Sequence, residues 1–86
     1  MTKQEARRLL DDTKVYVGHK SREIQEKLFT IGYEWVNVGD TVDNLEAPFL
    51  YIEKSGYIEH DNSVTSFEYN TQYREITADD ILNIKL

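Results

Sequence analysis

The sequence of 86 residues contains no cysteine and no long apolar segment. Without thiols the chain can form neither disulfide bonds nor thiolate metal sites, a composition that suits a reducing compartment. No apolar run approaches the roughly 18 residues that are needed to cross a bilayer, and the opening MTKQEARRLL lacks the pattern of a signal peptide. We therefore expect a soluble cytoplasmic protein with no membrane partner.

Patterns for catalysis and metal binding are also missing from the sequence. His19 and His60 are the only histidines, and they do not have the spacing of a helical metal site. There is no G-x-x-x-x-G-K-[ST] string of the kind that binds nucleotide phosphates. The His60-Asp61 pair could hold a metal or transfer protons, but a solvent-facing turn explains it more simply. We expect a non-enzymatic protein with no cofactor and no metal.

Basic residues are scarce and unevenly distributed. Ten Lys and Arg stand against sixteen Asp and Glu, for a net charge of −6, and residues 36–86 hold only three of the ten. An acidic excess of this kind is typical of a well-hydrated surface. Alternatively, it forms an acidic face that competes for a basic partner, as a mimic of nucleic acid would. On that hypothesis the partner face comprises Asp40, Asp43, Glu46 and Glu59.

The clearest structural pattern runs over residues 14–35 and predicts a strand, a loop, a helix and a second strand. Alternating valine and tyrosine at 15–17 favour a strand. An apolar stripe at spacings of four and three then predicts a helix over 21–31, with Ser21 as its N-cap and Gly32 at its end. A strand pattern resumes after Gly32.

Shorter patterns account for the rest of the chain. Two capping boxes, Thr2-x-x-Glu5 and Thr77-x-x-Asp80, predict a first helix that ends near residue 12 and a short closing helix. The turn residues of 37–48 predict a mobile loop. Strand patterns follow at 49–53, 57–60 and 64–69, with a brief extended piece at 73–76.

Together these elements predict an α+β fold. We expect a small single domain over residues 1–86, with about four mainly antiparallel strands, one principal helix (21–31) on the sheet and short terminal helices. The predicted core consists of apolar residues at alternating or helical spacing, namely Val15, Val17, Ile24, Leu28, Ile31, Trp35, Leu50, Ile52, Ile58, Phe67 and Ile81.

Two strings carry a resemblance to a known class of proteins. The first is Q-x-x-L-F-x-x-G-Y-x-W, which begins at Gln25 and ends at Trp35, and the second is E-I-T-x-x-D-I-L, from Glu75 to Leu82. In both strings, the chain resembles a family of small accessory proteins of tailed bacteriophages. The resemblance implies a virus-encoded protein in the host cytoplasm that acts on host or competing-element machinery. It brings no catalytic residues with it.

The loop 18–22, between the first strand and the principal helix, is the best local candidate for an anion site. A helix start offers free backbone N–H groups at the positive end of the helix dipole. An RNA backbone could bind there, although an ordinary helix start with solvated cations has the same pattern. The candidate contact residues are Lys20 and Arg22, joined by Arg7, Arg8 and Lys14 if the first helix packs nearby.

Many aromatic residues lie on predicted strands, and half of them could face outward and stack on bases. Core packing and cross-strand pairing explain them more simply. The residues concerned are Tyr33, Trp35, Phe49, Tyr51, Tyr57, Phe67 and Tyr69.

These observations lead to one preferred function and two alternatives. We expect a non-enzymatic phage accessory protein that binds and inhibits a host defence or regulatory protein, such as a nuclease, a toxin or a transcription factor. The first alternative is an RNA-binding modulator that acts through the 18–22 loop. The second is an acidic mimic of nucleic acid. The preferred class follows from the resemblance and from the absence of catalytic patterns.

Overall fold

In the computed structural model, which describes residues 1–86, short helices and strands follow one another along the chain. The longest helix has eleven residues, and no helix is both long and apolar enough to cross a bilayer. The elements are α1 (Lys3–Leu10), β1 (Thr13–Tyr16), a 3-10 turn (Gly18–Lys20), α2 (Ser21–Ile31), β2 (Glu34–Trp35), β3 (Phe49–Ile52), β4 (Tyr57–Asp61), α3 (Val64–Tyr69), β5 (Arg74–Ile76) and α4 (Ala78–Leu82).

The five strands form one mixed sheet in the order β2-β4-β3-β1-β5. Strand β3 runs antiparallel to both β1 and β4, whereas β5 lies parallel to β1 and β2 parallel to β4. The predicted α+β class is confirmed. The sheet has five strands where about four were predicted, and its longest pairings are antiparallel as expected. The difference arises because two strands of only two and three residues join the sheet edges in parallel.

Local hydrogen bonds define both terminal helices as predicted. At α1, the Thr2 hydroxyl accepts from the Glu5 N–H at 3.1 Å, and the Glu5 carboxylate accepts from the Thr2 N–H at 2.8 Å. Thr77 and Asp80 form the same reciprocal pair at the start of α4. Each box satisfies two N–H groups that a helix start leaves free, which is why such short helices form.

The principal helix α2 ends as predicted but begins differently. Gly32 ends it with a φ of +124°, a conformation that L side chains rarely adopt. The N-cap is Lys20 rather than the predicted Ser21, because the 3-10 turn already leads the chain into helical geometry. The Ser21 hydroxyl instead accepts from the side-chain amide of Gln25 at 3.0 Å.

The segment 64–69, predicted as a strand, is the helix α3. The Ser63 hydroxyl caps it by accepting from the Ser66 N–H at 3.2 Å. The ring of Phe67 stacks on Phe49 with 4.3 Å between centroids. The β-branched and aromatic residues favour a strand in isolation, but the cap and this tertiary contact outweigh that preference.

Apolar clusters lie on both faces of the sheet. On the face that we call inner, α1, α2 and α4 pack on the strands around Val15 and Leu50. On the other, the outer face, α3 closes a smaller cluster of Phe49, Tyr51 and Phe67. All eleven predicted core residues are buried, but Phe67 belongs to the outer cluster. The prediction omitted several buried residues, among them Ala6, Leu10, Tyr33, Ile76 and Ile84.

Replacement of Phe67 by alanine tests the helical assignment of 64–69. In the helix, Phe67 is buried and Tyr69, two positions on, is 80% exposed. Phe67→Ala should therefore lower the free energy of unfolding by about 3 kcal/mol. Tyr69→Ala should change it by less than about 0.5 kcal/mol. In a strand the two side chains would share one face, so comparable losses in urea unfolding would contradict the helix.

Candidate functional site

The outer face of the sheet carries a buried lysine, exposed tyrosines and several carboxylates. Alternate residues of a strand point to opposite faces, and α3 covers only the middle of this one. The residues of the outer face are Lys14 and Tyr16 in β1, Phe49 and Tyr51 in β3, Tyr57, Glu59 and Asp61 in β4, and Glu75 in β5.

Lys14 lies on β1, between β3 and the edge strand β5, and is buried beneath α3. Its side chain is 6% exposed, and its ammonium donates to the carbonyl oxygen of Phe67. The same ammonium lies 4.7 Å from the centroid of the Phe67 ring. Lys14 therefore anchors α3 and does not join the surface around the 18–22 loop, where the sequence placed it as a possible RNA contact.

Tyrosine–carboxylate hydrogen bonds surround Lys14. The Tyr51 hydroxyl donates to Asp61 Oδ2 at 2.6 Å and accepts from the side-chain amide of Asn70 at 2.9 Å. The Tyr73 hydroxyl donates to Glu53 Oε1 at 2.6 Å. Burial and these carboxylate acceptors raise the pKa of both phenols. The bond from Tyr51 lowers the pKa of the Asp61 carboxyl.

Aromatic rings divide between the core and the surface. Of the seven aromatic residues that the sequence singled out, only Tyr57 and Tyr69 are exposed, and the other five are buried. Tyr16 adds a third exposed ring, 59% accessible, beside Phe49 on the outer face. The preference for core packing over a base-stacking platform is confirmed for these five. Three tyrosines remain open to a partner.

Only two of the four predicted acidic residues line a common groove. Asp43 and Glu59 line the same groove of about 250 Å³, between the 36–44 loop and β4. Asp40 and Glu46 are exposed elsewhere on the loop 37–48. Glu59 also belongs to the outer face, since it is the register partner of Tyr51.

Gln25, on α2, holds the loop 37–48 in place. Its carbonyl oxygen accepts from the Trp35 indole and from the Asp43 N–H, both at 3.0 Å. Its amide nitrogen donates to the Asp43 carbonyl at 2.6 Å and to Ser21. The side chain is fully buried. Sequence reasoning missed this role, although a glutamine three residues before Leu28, on the apolar side of the helix, was the available signal.

The structure does not gather the five predicted basic residues. Lys20 forms a 3.1 Å ion pair with Asp79, across a groove of about 530 Å³ that Glu75 also lines. The Arg7 guanidinium lies 4.7 Å from the centroid of the Tyr33 ring. That position is near Gly32, at the end of α2 opposite to Lys20. The eleven residues of the helix, at 1.5 Å each, separate its two ends by about 16 Å. Arg8 and Arg22 are exposed on α1 and α2.

His60 and Asp61 do not act as a pair. They lie in β4 and not in the predicted solvent-facing turn, so their side chains point to opposite faces. The His60 ring meets the edge of Trp35, with 6.1 Å between centroids, whereas Asp61 binds Tyr51 on the outer face. No group of three or more His, Asp or Glu side chains is arranged to hold a metal ion.

Gln25→Leu should detach the 37–48 loop from the helix. The substitution leaves the buried Trp35 indole N–H without an acceptor and removes both bonds to Asp43. Because each unsatisfied buried group costs about 1–3 kcal/mol, we expect a loss of roughly 2–4 kcal/mol in the free energy of unfolding. Amide exchange at Asp43 should accelerate. Gln4→Leu, on the exposed side of α1, is the matched control and should change neither measurement.

Alkaline pH should destabilise the fold through its buried phenols. Burial and a 2.6 Å hydrogen bond to Asp11 raise the pKa of Tyr33. In the unfolded chain tyrosine ionises near pH 10. Above about pH 10 the unfolded chain therefore releases a proton that the folded chain still holds, and the free energy of unfolding falls as pH rises. The stability difference between wild type and Tyr33→Phe, measured by urea unfolding, should narrow between about pH 9 and 11. A constant difference would contradict this linkage.

Comparison with family models, with curated proteins and with solved structures finds no match to this chain. The resemblance of the two strings, Gln25 to Trp35 and Glu75 to Leu82, to phage accessory proteins therefore stays a prediction. On the outer face of this chain, the exposed Tyr16 and Tyr57 and a set of carboxylates accompany the short helix α3, which itself carries the exposed Tyr69.

Proposed function

We propose that this chain is a phage accessory protein that binds a host defence or regulatory protein in the host cytoplasm and inhibits it without catalysis. The observation that carries the proposal is the exposure of tyrosine rings on the outer face. Tyr16, Tyr57 and Tyr69 are 59%, 40% and 80% exposed. The resemblance to phage accessory proteins supports the class of function.

The outer face has the composition of a binding surface. Tyrosine is enriched in protein interfaces because it offers a large contact area and a hydroxyl, yet has few rotatable bonds to immobilise. Val64, 56% exposed, adds apolar area on the same helix as Tyr69. A sheet with a packed inner face holds Tyr16 and Tyr57 at fixed positions, which lowers the entropy lost on binding.

The contacts around the 18–22 loop favour a protein partner over RNA. Lys20 already pairs with Asp79, and the carboxylate of Glu75 lines the same groove. A phosphate that entered there would meet negative charge, and only Arg22 would be free of a carboxylate partner. Within the 18–22 loop, the RNA hypothesis therefore rests on a single unpaired cation.

Affinity capture from host cells tests the proposal. The tagged protein should retain a host protein after nuclease treatment, because no nucleic acid bridges the two. Tyr57→Ser with Tyr69→Ser should reduce capture of that protein strongly. Leu9→Ser, which removes an exposed apolar side chain from α1, is the matched control and should leave capture unchanged.

A second pair of substitutions separates the RNA alternative. Lys20→Glu with Arg22→Glu should leave capture of the host protein intact, and should lower stability by no more than about 1 kcal/mol since the Lys20 pair is exposed. Loss of capture both in this variant and after nuclease treatment would show that RNA mediates binding. A chain that retains no host protein under any condition would refute the proposal.

A further inference from the structure

The negative charge of this protein is concentrated on one side of the sheet. Lys14 is the sole Lys or Arg of the outer face, and it is buried under α3. Six carboxylates lie on the same side of the sheet, on its strands, on α3 or at the adjoining strand ends. These are Glu34, Glu53, Glu59, Asp61, Glu68 and Glu75.

Of the other nine basic residues, Lys20 borders the outer face, where it lines a groove with Tyr16 and Glu75 and pairs with Asp79. None of the nine occupies a strand position of that face. Ten acidic residues accompany them on the helices, their connections and the 37–48 loop, so the rest of the chain is close to neutral, with a net charge of −1. Arg74 illustrates the arrangement, since its guanidinium leaves β5 on the inner side and donates to the Leu9 carbonyl at 2.6 Å. The basic residues concerned are Lys3, Arg7, Arg8, Lys20, Arg22, Lys27, Lys54, Arg74 and Lys85.

Aromatic rings supply a second, independent observation. Two buried rings each have a cation of the same chain above them, Arg7 over Tyr33 and Lys14 over Phe67, both at 4.7 Å from the centroid. No Lys or Arg lies over the three exposed tyrosines. The outer face thus presents free ring faces next to carboxylates. A guanidinium group binds both partners, by stacking on the ring and by paired hydrogen bonds to the carboxylate.

We propose that the outer face is a docking surface for a basic, arginine-rich protein segment. This inference rests on the proposed function and names the chemistry of its partner. Charge complementarity selects the occupant, since nucleic acid would be repelled by the carboxylates. A second copy of the chain would oppose the same acidic surface to itself in a two-fold dimer. Host proteins that handle nucleic acids present basic surfaces of this kind.

Titration with oligoarginine and oligolysine peptides of equal length tests the surface directly. At low ionic strength, amide shifts in the nuclear magnetic resonance spectrum should concentrate on the outer face around Tyr16, Tyr57 and Tyr69. Oligoarginine should bind more tightly than oligolysine, because guanidinium stacks on rings better than ammonium. Tyr57→Leu with Tyr69→Leu should reduce the ratio of oligoarginine to oligolysine affinity about fivefold, because stacking on each exposed ring contributes about 0.5 kcal/mol.

Two charge variants of equal net charge provide the decisive comparison. Glu59→Lys with Glu68→Lys should weaken oligoarginine binding by at least about tenfold, whereas Glu23→Lys with Glu26→Lys, on exposed positions of α2, should weaken it less than about twofold. If the reversed charges disturb the fold, Glu59→Gln with Glu68→Gln replaces that variant, since it removes the two negative charges without adding positive ones. Equal losses in the two Lys variants, or shifts spread over the whole surface, would overturn the docking surface.

The host-capture experiment distinguishes this inference from the proposed function. A captured host protein that is indifferent to the Glu59 and Glu68 substitutions would overturn the docking surface and leave the proposed function standing. Oligoarginine bound at the outer face, with no host protein captured, would refute the proposed function and leave the surface chemistry standing.

Discussion

The two faces of this protein both depend on the alternation of side chains along β1. Val15 points into the inner core under the helices, and Lys14 points the other way, beneath α3. Burial of an ammonium is tolerated only where a hydrogen-bond partner replaces water. The carbonyl at Phe67 supplies that partner. Together with the stacking of Phe67 on Phe49, this hydrogen bond holds α3 against the sheet, and the position of α3 leaves the rest of the outer face open.

Unequal cover of the two faces connects the fold to the proposed function. Three helices cover the inner face, whereas a single helix of six residues covers the outer one. Three tyrosine rings therefore stay exposed, and carboxylates with few cationic neighbours stand around them. Exposed tyrosine rings of this kind are typical of protein interfaces. We infer that the open side of the sheet is where this protein does its work.

The loop 37–48 shows how a single buried amide organises a surface segment. Gln25 satisfies both backbone groups of Asp43 together with the indole of Trp35. A segment without helix or strand is thereby tied to the most buried part of α2. The position of Asp43 beside Glu59, in the groove next to the outer face, follows from that attachment.

The amino-acid sequence by itself determined the features that arise from contacts between near neighbours. Both capping boxes, the end of α2 at Gly32 and the burial of the eleven core residues could be predicted, because caps and apolar periodicity act within a few residues. Only the tertiary structure decided that 64–69 is a helix, since its stacking on Phe49 spans eighteen positions of the chain. The same holds for the burial of Lys14, for the bonds of Gln25 and for the separation of Arg7 from Lys20. Each depends on which surfaces the folded sheet brings together, and no local pattern encodes that.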